Sequence, residues 1–295
     1  MRTSATLTGF SAIIMWSLLA LLTDLSGHVP AFQLTAMTFA IGASIGAAAN
    51  LSRGEALIPF VPPRAWIVGV GGLFGYHFLY FTALRNAPAV EASLIAYLWP
   101  LLIVLGSALM PGERLKWHHV AGALLGLLGT ALIVAKGQGI GFDARFAFGY
   151  AAAGLCALTW SSYSLLSRRL AAIPTSAVTG FCAATAILSL ACHMALEPTV
   201  WPSGAVQWLA IAGLGLLPVG AAFYAWDHGV KHGNIQIIGA ASYCAPLLST
   251  LILIFAGEAV ASSRIVAACL LITGGAALAS REILARRPSM LRQES

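Results

Sequence analysis

Apolar residues along this chain come in long unbroken runs, not in alternation or in heptads. Ten runs stand out, near residues 5–26, 31–51, 65–84, 88–110, 118–135, 146–167, 176–196, 205–229, 235–256 and 263–284. Each approaches the roughly 20 apolar residues that an α-helix needs to cross a bilayer. Lipid offers no water to backbone polar groups, so the element that satisfies them internally, the helix, is the expected one. The polar stretches between runs are too short for a soluble domain. The pattern therefore predicts an all-α integral membrane protein with ten transmembrane helices. The first run is long, contains Trp16 and passes almost directly into a second, so it is expected to remain a helix and not to be a cleaved leader.

Composition sharpens this picture. Of 295 residues, 59% are hydrophobic and 9% are charged. A soluble domain carries about 25% charged residues, so a water-facing surface cannot be assembled from this chain. The formal charge of +6 does not point to nucleic acid, because the basic residues stand singly or in pairs and form no stripe. The five cysteines (156, 182, 192, 244 and 269) all lie within apolar runs. Their spacing fits no metal motif, so they read as small buried hydrophobes, and neither metal nor cofactor is expected.

Basic residues also orient the chain. Short loops on one side carry Arg85, Lys136, Arg145 and Arg264; the other 12 of the 16 Lys and Arg fall on the side of the N-terminus. Basic loops stay in the cytoplasm. Both termini are therefore expected there, in a cytoplasmic (inner) membrane, which requires an even number of spans.

The runs repeat. Ala83-Leu84-Arg85, Tyr97-Leu98-Trp99-Pro100, Gly112-Glu113 and Gly129 return as Gly229-Val230-Lys231, Tyr243-Cys244-Ala245-Pro246, Gly257-Glu258 and Gly274, at offsets of 145 or 146; Trp16-Ser17 and Trp160-Ser161 are 144 apart. The expected organisation is an N-terminal five-helix repeat over residues 1–137, a Gly-rich linker at 138–145, a C-terminal repeat over 146–284 and a basic cytoplasmic tail at 285–295. Five is odd, so the two repeats would cross the membrane in opposite senses. Inverted repeats of this kind are the architecture of secondary transporters, whose substrate site lies near the midplane where the repeats meet.

With these features the chain resembles the drug/metabolite transporter superfamily, in particular its EamA-type members, over about residues 5–284. Its aromatic content is similar to that of the YddG-type aromatic amino acid exporters of bacterial inner membranes. The resemblance implies export of small metabolites, aromatic amino acids foremost, by alternating access. Other amino acids, drugs or metabolites are the alternatives. The expected partners are that small-molecule substrate and the lipid bilayer, not nucleic acid.

Helical faces nominate the path. In the third run Tyr76, His77 and Tyr80 share a side, since positions three and four apart align. An ionisable group at membrane depth usually faces a cavity or a partner, so His77 is either a substrate contact or a residue bonded within its helix. In the fourth run Tyr97 and Pro100 share a face with Trp99 beside it; Tyr243 and Pro246, with Ser242, are the equivalents in the ninth. A proline inside a helix frees a carbonyl and kinks the axis, so Pro100 and Pro246 are candidate hinges or gates. In the sixth run Trp160, Tyr163 and Ser164 align. Trp16 and Trp160 lie too deep for interfacial anchoring. A ring of such residues would stack on an aromatic substrate and attract its ammonium group.

Elsewhere, Glu113 and Glu258 read as acids at helix N-termini, and Asp227 as a local partner of Lys231. A membrane enzyme would need a motif such as HExxH or GxSxG, which the chain lacks, so no catalytic residue is expected. A fixed-pore channel is disfavoured by the repeat. With no obvious carboxylate relay among the residues nominated, movement down a gradient is expected over tight proton coupling.

Overall fold

The computed structural model describes residues 2–135, 142–257 and 262–281. Half of the expected linker (138–141), Glu258 and the basic tail lie outside the described residues. Within them the chain forms ten helical segments and no strand. They are α1 (Arg2–Leu25), α2 (Ala31–Ser52), α3 (Pro63–Asn86), α4 (Ala89–Leu109), α5 (Trp117–Val134), α6 (Ala147–Arg169), α7 (Thr175–Leu196), α8 (Ala205–His232), α9 (Ile235–Phe255) and α10 (Ser263–Ala279). Eight of these are long and apolar enough to span a bilayer. The other two are α6, which carries Ser161, Ser162, Ser164 and Ser167, and α10, which is 17 residues long. The polarity of α6 has a structural reason: Trp160, Ser161, Tyr163, Ser164 and Ser167 are all buried, so its polar side packs against protein while Phe148, Leu155 and Leu158 stay exposed.

The helices pack across the two halves of the sequence. α1 lies against α8, α2 against α7, α3 against α6 and α5 against α10, while α4 runs between α6 and α9. Two of these crossings depend on glycine. A Cβ on Gly229 would lie 2.4 Å from the Gly9 Cα, and one on Gly122 would lie 2.4 Å from the Gly275 carbonyl oxygen. Close backbone approach through small residues is how membrane helices maximise packing where the hydrophobic effect gives no drive.

Four helices are irregular, each for an identifiable cause. α4 breaks at Tyr97–Leu98 and α9 at Ser242–Tyr243, just before Pro100 and Pro246. Proline has no N–H to extend the ladder, and it fits the opening turn of a new helix. α1 tightens at Ser17, whose hydroxyl donates to the Ile14 carbonyl at 2.6 Å. α8 passes through a π-helical turn at Leu217–Ala221, which contains Pro218. Ahead of α6, the Asp143 side chain accepts from the Arg145 N–H at 2.9 Å, and the Arg145 side chain holds the Asp143 carboxyl below its ordinary pKa.

Candidate functional site

The bundle is closed in the middle by aromatic rings. Trp16 of α1, Trp99 of α4, Trp160 of α6 and Trp226 of α8 touch one another, with ring centroids 5.0–6.3 Å apart. Phe223 packs on Trp16 and Trp160 at 6.2 and 5.8 Å. Such spacings belong to filled aromatic contacts, so this layer is a floor. One of its polar bonds goes to an irregular turn and one to a serine of α6. The Trp16 indole N–H donates to the Pro218 carbonyl at 3.0 Å, a group released by the π turn. The Trp226 N–H donates to Ser164 Oγ at 3.1 Å.

On one side of this floor the side chains are only half-buried. Tyr76 and Tyr80 stack with centroids 6.0 Å apart at an interplanar angle of 7°, and Tyr76 rests on Trp160 at 5.3 Å. Tyr80 Oη lies 3.3 Å from Ser93 Oγ of α4. These contacts aim both tyrosines into the bundle, yet Tyr76, Tyr80, Ser93 and Tyr97 keep solvent exposure. The side chains between α3, α4 and α6 are therefore not fully covered on that side. His77 turns elsewhere. Its Nδ1 lies 2.7 Å from the Leu73 carbonyl, and its ring packs between Phe39 and Phe223 at 5.1 and 6.2 Å.

On the other side Tyr163, Ser164, Asp227 and Lys231 are buried, although a cavity of about 570 Å³ opens beside them between Asn50, Thr175 and Tyr224. Tyr163 lies beneath Trp160 at 5.2 Å. Its ring occupies the place of a side chain on α3: a Cβ on Gly72 would come within 2.4 Å of it. Ser164 bonds its own helix and Trp226. Deeper still, Lys231 Nζ and the Asp227 carboxylate pair at 2.8 Å, with Thr175 donating to the same carboxylate at 2.7 Å. A void of about 10 Å³ beside that pair has room for one water. The end is sealed by Arg168, which donates to the Glu113 carboxylate and to the carbonyls of Val230 and Gly233 at 2.8 and 2.9 Å. Arg2 reaches the same carboxylate at 2.6 Å. Glu113 is thus a tertiary tie between four segments and not the helix cap its position suggested. The expected pairing of Asp227 with Lys231 is present.

The nominated residues fall into three places. Trp16, Trp99 and Trp160 form the floor, with Tyr76, Tyr80 and Tyr97 on its accessible side and Tyr163 and Ser164 on its buried side. His77 belongs to the α2–α3–α8 contact. Ser242 and Tyr243 lie behind α4. There the Tyr243 hydroxyl donates to the Tyr97 carbonyl and accepts from the Leu101 N–H, both at 3.2 Å. Sequence reading overlooked Trp226 and Phe223. The offset of 146 that pairs Tyr97 with Tyr243 also pairs Tyr80 with Trp226 and His77 with Phe223, so the repeat carried the signal.

An all-helical bundle with membrane-length apolar helices, closed by an aromatic layer with half-buried tyrosines on one side, defines a polytopic membrane protein of the carrier type. Among the described residues no cluster of metal-ligating side chains accompanies it. The model of the EamA-like transporter family matches residues 3–135 and again 147–281, and the chain belongs to that family; it is a transporter and not an enzyme. It is 56% identical to the aromatic amino acid exporter YddG of Ancylobacter novellus, over 97% of this chain and 99% of that one. It is 27% identical to the aromatic amino acid exporter YddG of Escherichia coli K12, over 84% and 87% of the two chains. A solved crystal structure that is 55% identical superimposes with a TM-score of 0.91, covering 95% of this chain and 99% of that one.

Proposed function

We propose that the protein exports aromatic amino acids across the cytoplasmic membrane by alternating access, its two five-helix halves rocking about the aromatic floor. The observation that carries this is the half-open space walled by Tyr76, Tyr80 and Tyr97 above Trp160. Aromatic faces suit an indole or phenyl ring. They also attract an ammonium group, at about 0.5–2 kcal/mol per cation–π contact. The paired Tyr80 and Ser93 hydroxyls suit a carboxylate. Identity with an aromatic amino acid exporter over nearly the whole chain supports the same reading.

The packing supports the inverted repeat. Exchanging each helix for its equivalent five places on turns the α3–α6 contact into α8–α1 and leaves α2–α7, α4–α9 and α5–α10 unchanged, and all of these contacts exist. The two matches to one family model and the matched breaks before Pro100 and Pro246 agree with it. On this reading all ten helices span the membrane. The Arg168 end faces the cytoplasm with both termini, as the basic loops require, and the conformation is open outward.

Counterflow in proteoliposomes tests the proposal. Vesicles loaded with unlabelled tryptophan and diluted into trace labelled tryptophan are expected to accumulate label transiently, with or without a proton gradient. Absence of accumulation by reconstituted, monodisperse protein overturns the assignment of substrate. Accumulation only under a gradient overturns uncoupled transport and leaves the substrate intact.

A further inference from the structure

The break in α4 is closed by a side chain from the other half of the protein. In a regular helix the Leu101 N–H would bond the Tyr97 carbonyl. Here the two are separated, and the Tyr243 hydroxyl stands between them with a 3.2 Å bond to each. Insertion of a side chain into the ladder is one of the few causes of a sharp helix kink. The bond matters because backbone groups released in a dry interior are costly unless paired, and Tyr243 is fully buried. Its ring has room because α5 carries a glycine where it lies: a Cβ on Gly126 would come within 2.5 Å of it.

An offset of 146 relates the tyrosine, proline and leucine of this device to a second set. Tyr97, Pro100 and Leu101 correspond to Tyr243, Pro246 and Leu247. The hydroxyl equivalent to that of Tyr243 is therefore the hydroxyl of Tyr97, and the break equivalent to the one in α4 is the break in α9. In the present conformation Tyr97 is half-buried on the accessible side, and its hydroxyl forms no such bridge among the described residues. The halves differ at one further point: at the offset of 145 that relates Gly129 to Gly274, the position matching Gly126 is Leu271.

We propose that Tyr243 and Tyr97 are exchangeable positioning residues: Tyr243 bridges the broken α4 in the outward-open state, and Tyr97 bridges the broken α9 in the inward-open state. Neither residue reacts with substrate in this role; each stabilises one geometry of the helix it crosses to. Leu271, standing where the other half has glycine, disfavours the second bridge and makes the outward-open state the resting one. This inference rests on the alternating-access reading above and names the contact that is exchanged.

The test is labelling with a membrane-impermeant maleimide, in the absence of substrate, in protein whose five native cysteines are replaced. Ser93→Cys reports the accessible side, and Ser167→Cys the sealed one. Tyr243→Phe is expected to lower labelling at 93 and raise it at 167, by about threefold to tenfold, the effect of one or two neutral hydrogen bonds. Tyr97→Phe should shift both in the opposite direction, and the double variant should return towards the parent. Leu271→Gly touches neither tyrosine and should mimic Tyr243→Phe by making room for the second bridge. It keeps the test valid if a tyrosine variant fails to fold. Shifts in the same direction for both tyrosine variants, or labelling unmoved by every substitution, overturn the exchange. Labelling is read without substrate, so opposed shifts in a protein that shows no tryptophan counterflow would uphold the exchange and reject the transport assignment. Counterflow with unmoved labelling would do the reverse.

Discussion

At one end of the bundle Arg168 gathers α1, α4, α6 and α8 around the buried Glu113 carboxylate, and Asp227 and Lys231 pair behind it with side chains only 2–3% exposed. At the other end the charges sit to one side. Glu197, at the end of α7, pairs with Arg85 at 2.5 Å and accepts the Phe32 and Gln33 N–H groups that open α2. His193 lies 3.2 Å from the same carboxylate. That network joins α2, α3 and α7 and does not cross the axis where Tyr76, Tyr80 and Tyr97 stand. One end is thus sealed through its centre and the other clamped at its flank. The contrast teaches that a repeated fold need not be closed by repeated chemistry. The residue matching Arg168 at the offset of Trp160 to Trp16 is Asp24, an exposed acid, so that position of α1 carries no equivalent arginine.

The floor between the ends provides the largest effect. Trp226→Ala removes a fully buried indole from a layer of touching rings and its bond to Ser164. A loss of about 3–5 kcal/mol is expected, read as a collapse of the thermal unfolding midpoint in detergent. Trp160→Phe keeps a ring under Tyr76 and should raise the KM for tryptophan counterflow more than it lowers the midpoint. Equal losses of stability in the two variants would show that the floor has no accessible side.

Breaking the central seal comes next. Glu113→Gln leaves Arg168 and Arg2 without a carboxylate. Removing one partner of a buried pair typically costs about 3–5 kcal/mol; the lower end applies, since Arg168 retains its carbonyl partners and both arginines reach solvent. The expected readout is exposure of Ser167→Cys to maleimide, with counterflow at least tenfold slower. Glu197→Gln, the matching change at the flank, should cost about 1–2 kcal/mol, the scale of a helix N-terminal cap. It should leave Ser167→Cys protected. If both variants expose that site equally, the two ends are not distinct in the way their geometry indicates.

Much of this was legible in the sequence. The apolar runs marked every helix, and the Tyr-x-x-Pro repeats marked both breaks. Trp16 and Trp160 were nominated for their depth in the first and sixth runs, and Trp99 for its place beside the Tyr97–Pro100 face. What was not legible depends on which helix stands beside which. Glu113 precedes a helix and reads as a cap, and only the arrival of α6 and α1 makes it the centre of a seal. Tyr243 reads as a cavity residue by its face, but the break in α4 claims its hydroxyl. Trp226 was missed because α8 was read for its charges, Asp227 and Lys231, when its repeat partner Tyr80 already indicated an aromatic position.

The smallest effect tests the seal from within. Arg2 and Arg168 bond the same carboxylate, but the Arg2 side chain is 54% exposed and that of Arg168 16%. Solvent screens the first pair, and ordering a long side chain near the start of a helix offsets part of what remains, so its contribution is about 0–1 kcal/mol. Arg2→Ala should therefore move the unfolding midpoint by no more than a few degrees and leave Ser167→Cys protected. Arg168→Ala, which also strips partners from the Val230 and Gly233 carbonyls, should expose it. If the two alanine variants behave alike, the seal is a matter of net charge near Glu113. If they differ as expected, it is a matter of which guanidinium is held between the helices, and the bonds Arg168 makes to the α8–α9 turn are what bind the second half of the protein to the first at that end.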